Sequence, residues 1–158
     1  MSNSSISGLD WQILELLQKD GRMTVSDIAS KLNRSRSSII EHIDKLRECG
    51  VLSGIHAVID CEKLGFGIKA FVRLNAESLK HREIITAIIK KPEVVECHVL
   101  TGSQLAIIQL VTKNMTHLRE IVDSFTQYGS TQTDIVFATV KDGIQIDQKL
   151  RVLLDDQT

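Results

Sequence analysis

The stretch TVSDIASKLNRSRSSIIEHIDKLRECG, residues 24–50, decides how the N-terminal part of the chain folds. Thr24 is a residue type that caps helices, and after it one apolar face repeats at helical spacing through Val25, Ile28, Ala29 and Leu32. Asn33 tolerates the left-handed conformation of a tight turn. A second helix begins near Ser35, and its inward stripe is Ile39, Ile43 and Leu46. Two short helices joined in this way are the layout of a helix-turn-helix DNA reader, in which the second helix enters the major groove.

The polar residues around the start of the second helix are the candidates for DNA contact. At 100° per residue, Ser37, Ser38, Glu41 and Lys45 point away from the inward stripe, and the first three would reach the edge of the major groove. Arg34 and Arg36 would bind phosphates near the start of the helix. We expect the following residues to contact DNA: Thr24, Arg34, Ser35, Arg36, Ser37, Ser38, Glu41, His42 and Lys45. The alternative is a solvated helix whose charges only keep the protein soluble.

The segments on either side of this stretch complete the first domain. Residues 9–20 carry an apolar helical face, formed by Leu9, Ile13, Leu16 and Leu17, and we expect Asp10 to lie off that face. Residues 51–60, VLSGIHAVID, change to an alternating pattern that predicts a strand leaving the first domain. The sequence Gly65-Phe66-Gly67, which follows, predicts a hinge.

From residue 68 onward the pattern is β-α-β twice over. Strands are predicted at residues 68–75, 94–100, 105–111 and 133–140, and helices at residues 78–91 and in the segment after Asn114, which can cap its helix. The order βαββαβ is the ferredoxin-like arrangement, an antiparallel sheet with both helices on one face. The chain is therefore expected to be an α+β protein of two domains. An apolar tail at residues 144–154 is expected to pack on the sheet or on a neighbouring subunit.

Composition limits the class of protein. Of the 158 residues, 42% are hydrophobic and 25% charged, which is typical of a soluble globular protein. No apolar run approaches the roughly 20 residues that a membrane helix needs, and residues 1–8 do not resemble a signal peptide. The three cysteines form no CxxC pair and no zinc pattern, so we expect a reduced, cytoplasmic protein with no metal site and no cofactor.

The net charge of −1 is unhelpful for binding DNA. Residues 1–60 hold seven Lys and Arg against eight Asp and Glu, and residues 61–158 hold twelve against twelve. Because affinity for DNA rises with the number of phosphates that are neutralised, a single copy would bind weakly. If the protein reads DNA, we expect it to do so as an oligomer that presents several weakly binding N-terminal domains, called heads below, together.

Several short motifs occur in order along the chain. In the first domain they are LDWQILELLQKDGR (9–22), DIASKL (27–32), Ser35 at the start of the reading helix, and DKLRECGVLSG (44–54). In the second domain they are LGFGIKAFV (64–72), PEVVECHVLTG (92–102) and TVK (139–141). On this ordered set, nearly the whole chain resembles the Lrp/AsnC family of transcription regulators, also called feast/famine regulators.

The resemblance implies three parts. They are a winged helix-turn-helix DNA-binding domain at residues 1–53, a linker strand and hinge at 54–65, and a ferredoxin-like ligand-binding and assembly domain at 66–158. It also implies a sequence-specific DNA-binding transcription regulator that is not an enzyme. Its partners would be double-stranded DNA, further copies of itself as a dimer that assembles to an octamer, and a small-molecule effector such as an amino acid, with no membrane.

Two sites depart from the pattern of the family. In the reading helix, the family usually has arginines where this chain has Glu41 and His42, so DNA binding is expected to be weaker or its sequence preference different. In the effector pocket, the family has a Gly-x-x-Asp loop, which here is the segment Thr101, Gly102, Ser103, Gln104 and Leu105. Leu105 therefore stands where the aspartate is expected. Because leucine offers no carboxylate to an ammonium group, the sequence favours an atypical effector or none.

Two other functions stay open at this point. In one alternative, the protein has lost DNA binding because its reading helix carries acidic residues, and it modulates related regulators by assembling with them. Sirohaem decarboxylases resemble this two-domain fold but act on a tetrapyrrole, which calls for a cluster of His, Arg and Tyr side chains. This chain has a single tyrosine, Tyr128, and its five histidines are scattered, so the enzyme is the weaker alternative.

Overall fold

The computed structural model describes residues 6–76, 80–141, 143 and 146. The chain divides into two compact units, one built on residues up to Val58 and one on Ile59–Lys141. The elements are α1 (Gly8–Lys19), α2 (Val25–Leu32), α3 (Arg36–Glu48), β1 (Ile68–Asn75), α4 (His81–Ile88), β2 (Val94–Val99), β3 (Ala106–Thr112), α5 (Met115–Phe125) and β4 (Ser130–Ile135). This order confirms the prediction of a helix-turn-helix followed by βαββαβ. None of the helices in the described ranges has the length and apolar character to cross a membrane.

The first unit forms because α1, α2 and α3 each present one apolar face to a shared core. Ser7, Thr24 and Ser35 cap the three helices by accepting a backbone N–H of the first turn, and Asp10 and Asp27 complete two of these caps as capping boxes. The buried core is Ile13, Leu14, Leu17, Ile28, Ala29, Ile39, Ile43 and Leu46. The predicted caps at Thr24 and Ser35 and the inward stripe of α3 are confirmed.

The second unit is a four-stranded antiparallel sheet in the order β2-β3-β1-β4. In β1 and β3 alternate residues point to one face, and Val72 lies opposite Ile108 on one side and Thr133 on the other. That face shares one core with both helices: Ala70, Val72, Leu74, Ala106, Ile108, Leu110, Ile84, Ile88, Leu118, Ile121 and Phe125. The structure thus confirms the ferredoxin-like prediction, with α4 and α5 on the same side of the sheet.

The last strand begins and ends earlier than predicted. β4 spans Ser130–Ile135 rather than residues 133–140. Its partner β1 sets this limit, because Ala70 pairs with Ile135 and the final backbone bond runs from the Val136 N–H to the carbonyl of Lys69, 2.8 Å away. The TVK sequence at 139–141 therefore lies beyond the strand. α4 is also shorter than predicted, and residues 77–79, which the prediction partly included, lie outside the described residues.

The prediction of a strand at residues 51–60 is wrong for the single chain. These residues pair with none of the described strands. The segment is nevertheless apolar, and its Val58 is 92% exposed. A strand exists only where a neighbouring backbone accepts and donates its hydrogen bonds, and the alternating pattern of side chains supplies no such neighbour. The predicted hinge does contain a residue of positive φ, Gly65, at 95°.

One residue of the predicted tail contacts the first unit and not the sheet. The side-chain amide of Gln18 donates to the carbonyl of Ile146 at 3.0 Å, and the N–H of Ile146 donates back to the Gln18 Oε1 at 2.9 Å. The expectation that the apolar side chains of this tail pack on the sheet or on a neighbouring subunit stays a prediction. The other residues of the predicted tail lie outside the described residues.

Gly129 is a position where any side chain is expected to cost stability. A Cβ built there collides with the backbone carbonyl of Asn75 and approaches the Cα of Ala76, so the end of β1 would have to move. We predict that Gly129→Ala lowers the free energy of unfolding by about 1 to 3 kcal/mol, measured by urea denaturation. Gly67→Ala is the matched control, since a Cβ there meets no atom within 4 Å. Equal unfolding midpoints for the two variants would contradict the prediction.

Candidate nucleic-acid interface and effector pocket

The turn between α2 and α3 fixes where the reading helix starts. Asn33 adopts a left-handed conformation, with φ 51° and ψ 52°, as the sequence predicts. The next N–H, that of Arg34, donates to the carbonyl of Ala29 at 2.9 Å. Ser35 then caps α3 by accepting the N–H of Ser38 at 3.2 Å. Three residues therefore join α2 to α3, a connection as short as a helix-turn-helix requires.

The first turn of α3 presents the polar surface that the sequence predicts. Arg34, Ser35, Arg36, Ser37 and Glu41 are exposed, and Ser38 is half-buried. Within the described part of the chain, neither Arg34 nor Arg36 forms an ion pair, so both guanidinium groups are available to phosphates. Thr24 is exposed too, but its hydroxyl donates to the carboxylate of Asp27 at 2.6 Å.

Asp10 joins the start of α1 to the reading helix. Its carboxylate is completely buried, which corrects the expectation that Asp10 lies off the apolar face. Oδ1 accepts a hydrogen bond from Nδ1 of His42 at 2.6 Å, and Oδ2 accepts the N–H and the hydroxyl of Ser7, both at 2.7 Å. The ammonium group of Lys45 lies 3.5 Å from Oδ2. A buried carboxylate requires such partners, because an unpaired buried charge is strongly unfavourable.

This network changes how two of the predicted DNA contacts are interpreted. His42 and Lys45 are both half-buried and turn toward Asp10, so the prediction that Lys45 simply faces outward is wrong. Burial raises the pKa of Asp10, but hydrogen bonds from His42 and Ser7 and the charge of Lys45 outweigh it and lower the pKa to about 2. Local sequence patterns carry no sign of the contacts with His42 and Lys45, since Asp10 precedes these two residues by more than thirty positions.

The predicted effector loop lines a cavity in the second unit. Its volume is about 400 Å³, within the usual range for a small-molecule site. Gly102, Ser103, Gln104 and Leu105 all line it, whereas Thr101 is exposed and does not. Leu105 is only 7% exposed, and its N–H donates to the carbonyl of Leu74 at 2.8 Å. The loop is therefore held against the end of β1, with the leucine forming part of the cavity wall.

Seven residues of the cavity wall were not among the predicted effector contacts. Four of these lie on α4: His81, Arg82, Ile85 and Thr86. The apolar face of this helix belongs to the core, where Ile84 and Ile88 are buried. The sequence does carry a pattern that indicates the wall, because the polar residues Arg82 and Thr86 are four positions apart and therefore share a face. Together α4 and the loop form a pocket with one basic wall.

Comparisons with known domains agree with these two parts. Residues 69–146 match the Lrp/AsnC ligand binding domain, and residues 6–53 match a winged helix-turn-helix DNA-binding domain. Fold and site thus define a DNA-binding transcription regulator in which a helix-turn-helix is followed by a ligand-binding domain.

The curated relatives carry the same assignment. The chain is 32% identical, over 147 residues, to the HTH-type transcriptional regulator FL11 of Pyrococcus furiosus, a match that covers 91% of this chain and 97% of the relative. The chain belongs to the Lrp/AsnC family of transcription regulators.

Solved structures show the same fold. LrpC of Bacillus subtilis superposes with a TM-score of 0.82 at 19% identity, covering 87% of this chain and 98% of that one. A transcriptional regulator of Neisseria meningitidis, solved as a complex with L-methionine, superposes with a TM-score of 0.82 at 24% identity, covering 90% of this chain and 97% of that one.

The buried Asp10 should make the stability of the first unit dependent on pH. Its pKa in the folded chain, about 2, is below the ordinary value of 3.8, so its contribution is complete above about pH 5 and is lost as the pH falls toward 2. We predict that Asp10→Asn lowers the free energy of unfolding by about 2 kcal/mol at pH 7 and that the difference largely disappears near pH 2.

The measurement is urea denaturation of wild type and variant at pH 7, 4 and 2.5. Asp44→Asn is the matched control, because Asp44 lies on α3 with a side chain that is 56% exposed, in a surface ion pair with Arg47 at 3.6 Å. The control should differ little from wild type at every pH. An Asp10→Asn deficit that does not change with pH would show that the carboxylate contributes no charge-dependent stability.

Proposed function

We propose that the protein regulates transcription by binding specific double-stranded DNA as a homo-oligomer, under the control of an effector that is not an ordinary free amino acid. The observation that supports DNA contact most directly is the pair of exposed arginines, Arg34 and Arg36, at the N-terminal end of α3. A helix N-terminus and two guanidinium groups at one place favour phosphate. The matched relatives are named transcriptional regulators, and these names support a DNA-binding regulator over an enzyme or a modulator that does not bind DNA.

The predicted DNA contacts fall into two groups in this proposal. Arg34, Arg36 and the hydroxyl group of Ser35 bind the phosphate backbone and set the position of the helix, whereas the hydroxyl of Thr24 already donates to Asp27. Ser37, Ser38 and Glu41 meet the base edges, where Glu41 would accept a hydrogen bond from a cytosine amino group. His42 and Lys45 act mainly through Asp10, which holds α3 on α1.

Removing one phosphate-binding arginine should weaken DNA binding without unfolding the protein. We predict that Arg36→Gln weakens binding to DNA from the chain's own upstream region by roughly tenfold and reduces the salt slope by about one for each copy that contacts phosphate. The measurement is fluorescence anisotropy at several salt concentrations. Lys19→Gln is the matched control, since it removes one exposed charge from the same unit at the end of α1.

The two results separate a local contact from a general effect of charge. Equal losses in Arg36→Gln and Lys19→Gln would contradict the assigned role of Arg36. Wild-type protein that binds no DNA specifically at low salt, yet assembles with a relative, would replace this proposal with the modulator alternative.

The sheet offers the surface for assembly. The face opposite α4 and α5 has Phe71, Ile107 and Val111 among its central residues, positions that in a solvent-facing sheet would be polar. Phe137 and Val140, which follow the end of β4, are 103% and 98% exposed. These apolar side chains lie among polar groups, Gln109 and the Arg73–Asp134 ion pair at 2.8 Å, and such a mixture is typical of an interface between protein chains. A second copy is the partner that fits, because the near-neutral heads need multivalency to hold DNA.

A charge placed on this face should reduce the oligomeric state. We predict that wild type elutes as a multiple of the 17.6 kDa chain and that Ile107→Glu shifts the mass downward, measured by size-exclusion chromatography with light scattering. Thr116→Glu introduces the same charge at an exposed position of α5 and should leave the mass unchanged. A monomeric wild-type protein, or a shift of equal size in the control, would contradict assembly through this face.

The proposed effector differs from that of the Neisseria protein, whose structure holds L-methionine. In this chain the cavity wall has Leu105 where the family pattern has an aspartate, and the leucine packs into the core of the second unit. An ammonium group at that point would face a hydrocarbon side chain and lose its hydration without replacement. This supports an effector of another chemical class.

A further inference from the structure

We propose that the cavity between α4 and the 101–105 loop binds apolar monocarboxylates that lack an ammonium group, and 2-oxo acids in particular. The inference rests on the proposed role of this cavity as the effector site, and it adds the chemistry of the ligand. It follows from three properties of the wall, which are its charge, its apolar surface and its remaining hydrogen-bond donors.

The charge of the wall is one-sided. Arg82 and His81 line the cavity at the beginning of α4, and its described lining residues include no Asp or Glu. Across the described ranges, no hydrogen bond or ion pair engages the guanidinium of Arg82, although the backbone carbonyl of this residue accepts the Thr86 hydroxyl. A guanidinium can bind a carboxylate through two parallel hydrogen bonds. The wall thus offers an anion a partner and gives a ligand ammonium group no opposite charge.

The remainder of the wall is mostly hydrocarbon. Its apolar members come from α4, from the end of β2 and from the loop: Ala76, Ile85, Val99, Leu100 and Leu105. Leu105 is at once part of the core and part of this wall, so the position that would hold an acidic side chain adds apolar surface instead. A branched or aromatic hydrocarbon group would gain stabilisation by contacting these side chains. The ligand is therefore an acid with an apolar body.

Two polar side chains are left to recognise a further group of the ligand. The hydroxyl of Thr86 already donates to the carbonyl of Arg82 at 2.8 Å. Ser103 and Gln104 also line the cavity, and each carries a donor that a keto oxygen next to a carboxylate would accept. Ser103 and Gln104 also carry acceptor oxygens, so the discrimination rests on charge: an ammonium group in the same place would be repelled by Arg82 and would find no carboxylate among the described lining residues. This asymmetry favours the 2-oxo acid over the amino acid of equal shape.

The test compares ligands that differ at one group. The full-length protein is titrated by calorimetry with 4-methyl-2-oxopentanoate, leucine and 4-methyl-2-oxopentanamide, and the same compounds are screened by thermal shift. We expect the oxo acid to bind and to raise the melting temperature, leucine to bind at least tenfold more weakly, and the amide, which has no charge, to show no binding. Leucine binding as tightly as the oxo acid, or an amide that binds equally well, would overturn the proposal.

Variants then assign the charge to one side chain. Arg82→Gln should weaken oxo acid binding at least tenfold, and Arg82→Lys should restore part of it. Arg119→Gln is the control, because it makes the same change on α5 at a side chain that is 84% exposed and does not line the cavity. Unchanged affinity in Arg82→Gln, or an equal loss in Arg119→Gln, would overturn the role of the basic wall.

DNA binding is measured separately, with and without the oxo acid. Ligand binding without any specific DNA binding would refute the proposed regulator while leaving the ligand assignment intact. Specific DNA binding without oxo acid binding would refute the ligand assignment alone. A change in DNA affinity on adding the oxo acid to wild type, absent in Arg82→Gln, is the result that both proposals predict together.

Discussion

The first unit depends on one buried carboxylate. Asp10 receives hydrogen bonds from Ser7, which begins α1, and from His42, which lies in the middle of α3, and it carries the charge of Lys45 nearby. The same aspartate therefore caps one helix and fixes the angle of another. Removing one partner would leave the buried charge unpaired. The contact between Asp10 and the reading helix therefore costs more free energy to break than a surface ion pair does.

This arrangement has a consequence for DNA binding. The two basic residues in the middle of α3 face a carboxylate within the protein, while Glu41 is exposed on the same helix. Among the described residues of the turn before α3 and of its first helical turn, Arg34 and Arg36 are the only cations without an ion pair. A head with so few phosphate contacts binds weakly and loses affinity at physiological salt. Our central claim is that affinity comes from several heads held together, and that the second unit provides this assembly.

Much of the fold follows from local sequence, because caps and periodic faces act over a few residues. Thr24, Asn33 and Asn114 have the predicted local roles, and the strands β1 and β3 lie within a residue of their predicted ends. The failures involve partners distant in sequence. The end of β4 depends on where β1 pairs with it, and the alternating pattern of 51–60 supplies no neighbour for a strand. For the same reason, the local pattern did not connect Asp10 with His42 on α3, or Arg82 with the loop at Leu105.

The most direct measurement of the central claim is the affinity of the wild-type protein for two DNA fragments at physiological salt. One fragment has a single binding site, and the other has two sites on the same face of the DNA duplex. If several weak heads act together, the fragment with two sites binds at least a hundredfold more tightly, since the second contact is made at high effective concentration. If each fragment binds with the same affinity, a single head suffices and the claim is contradicted.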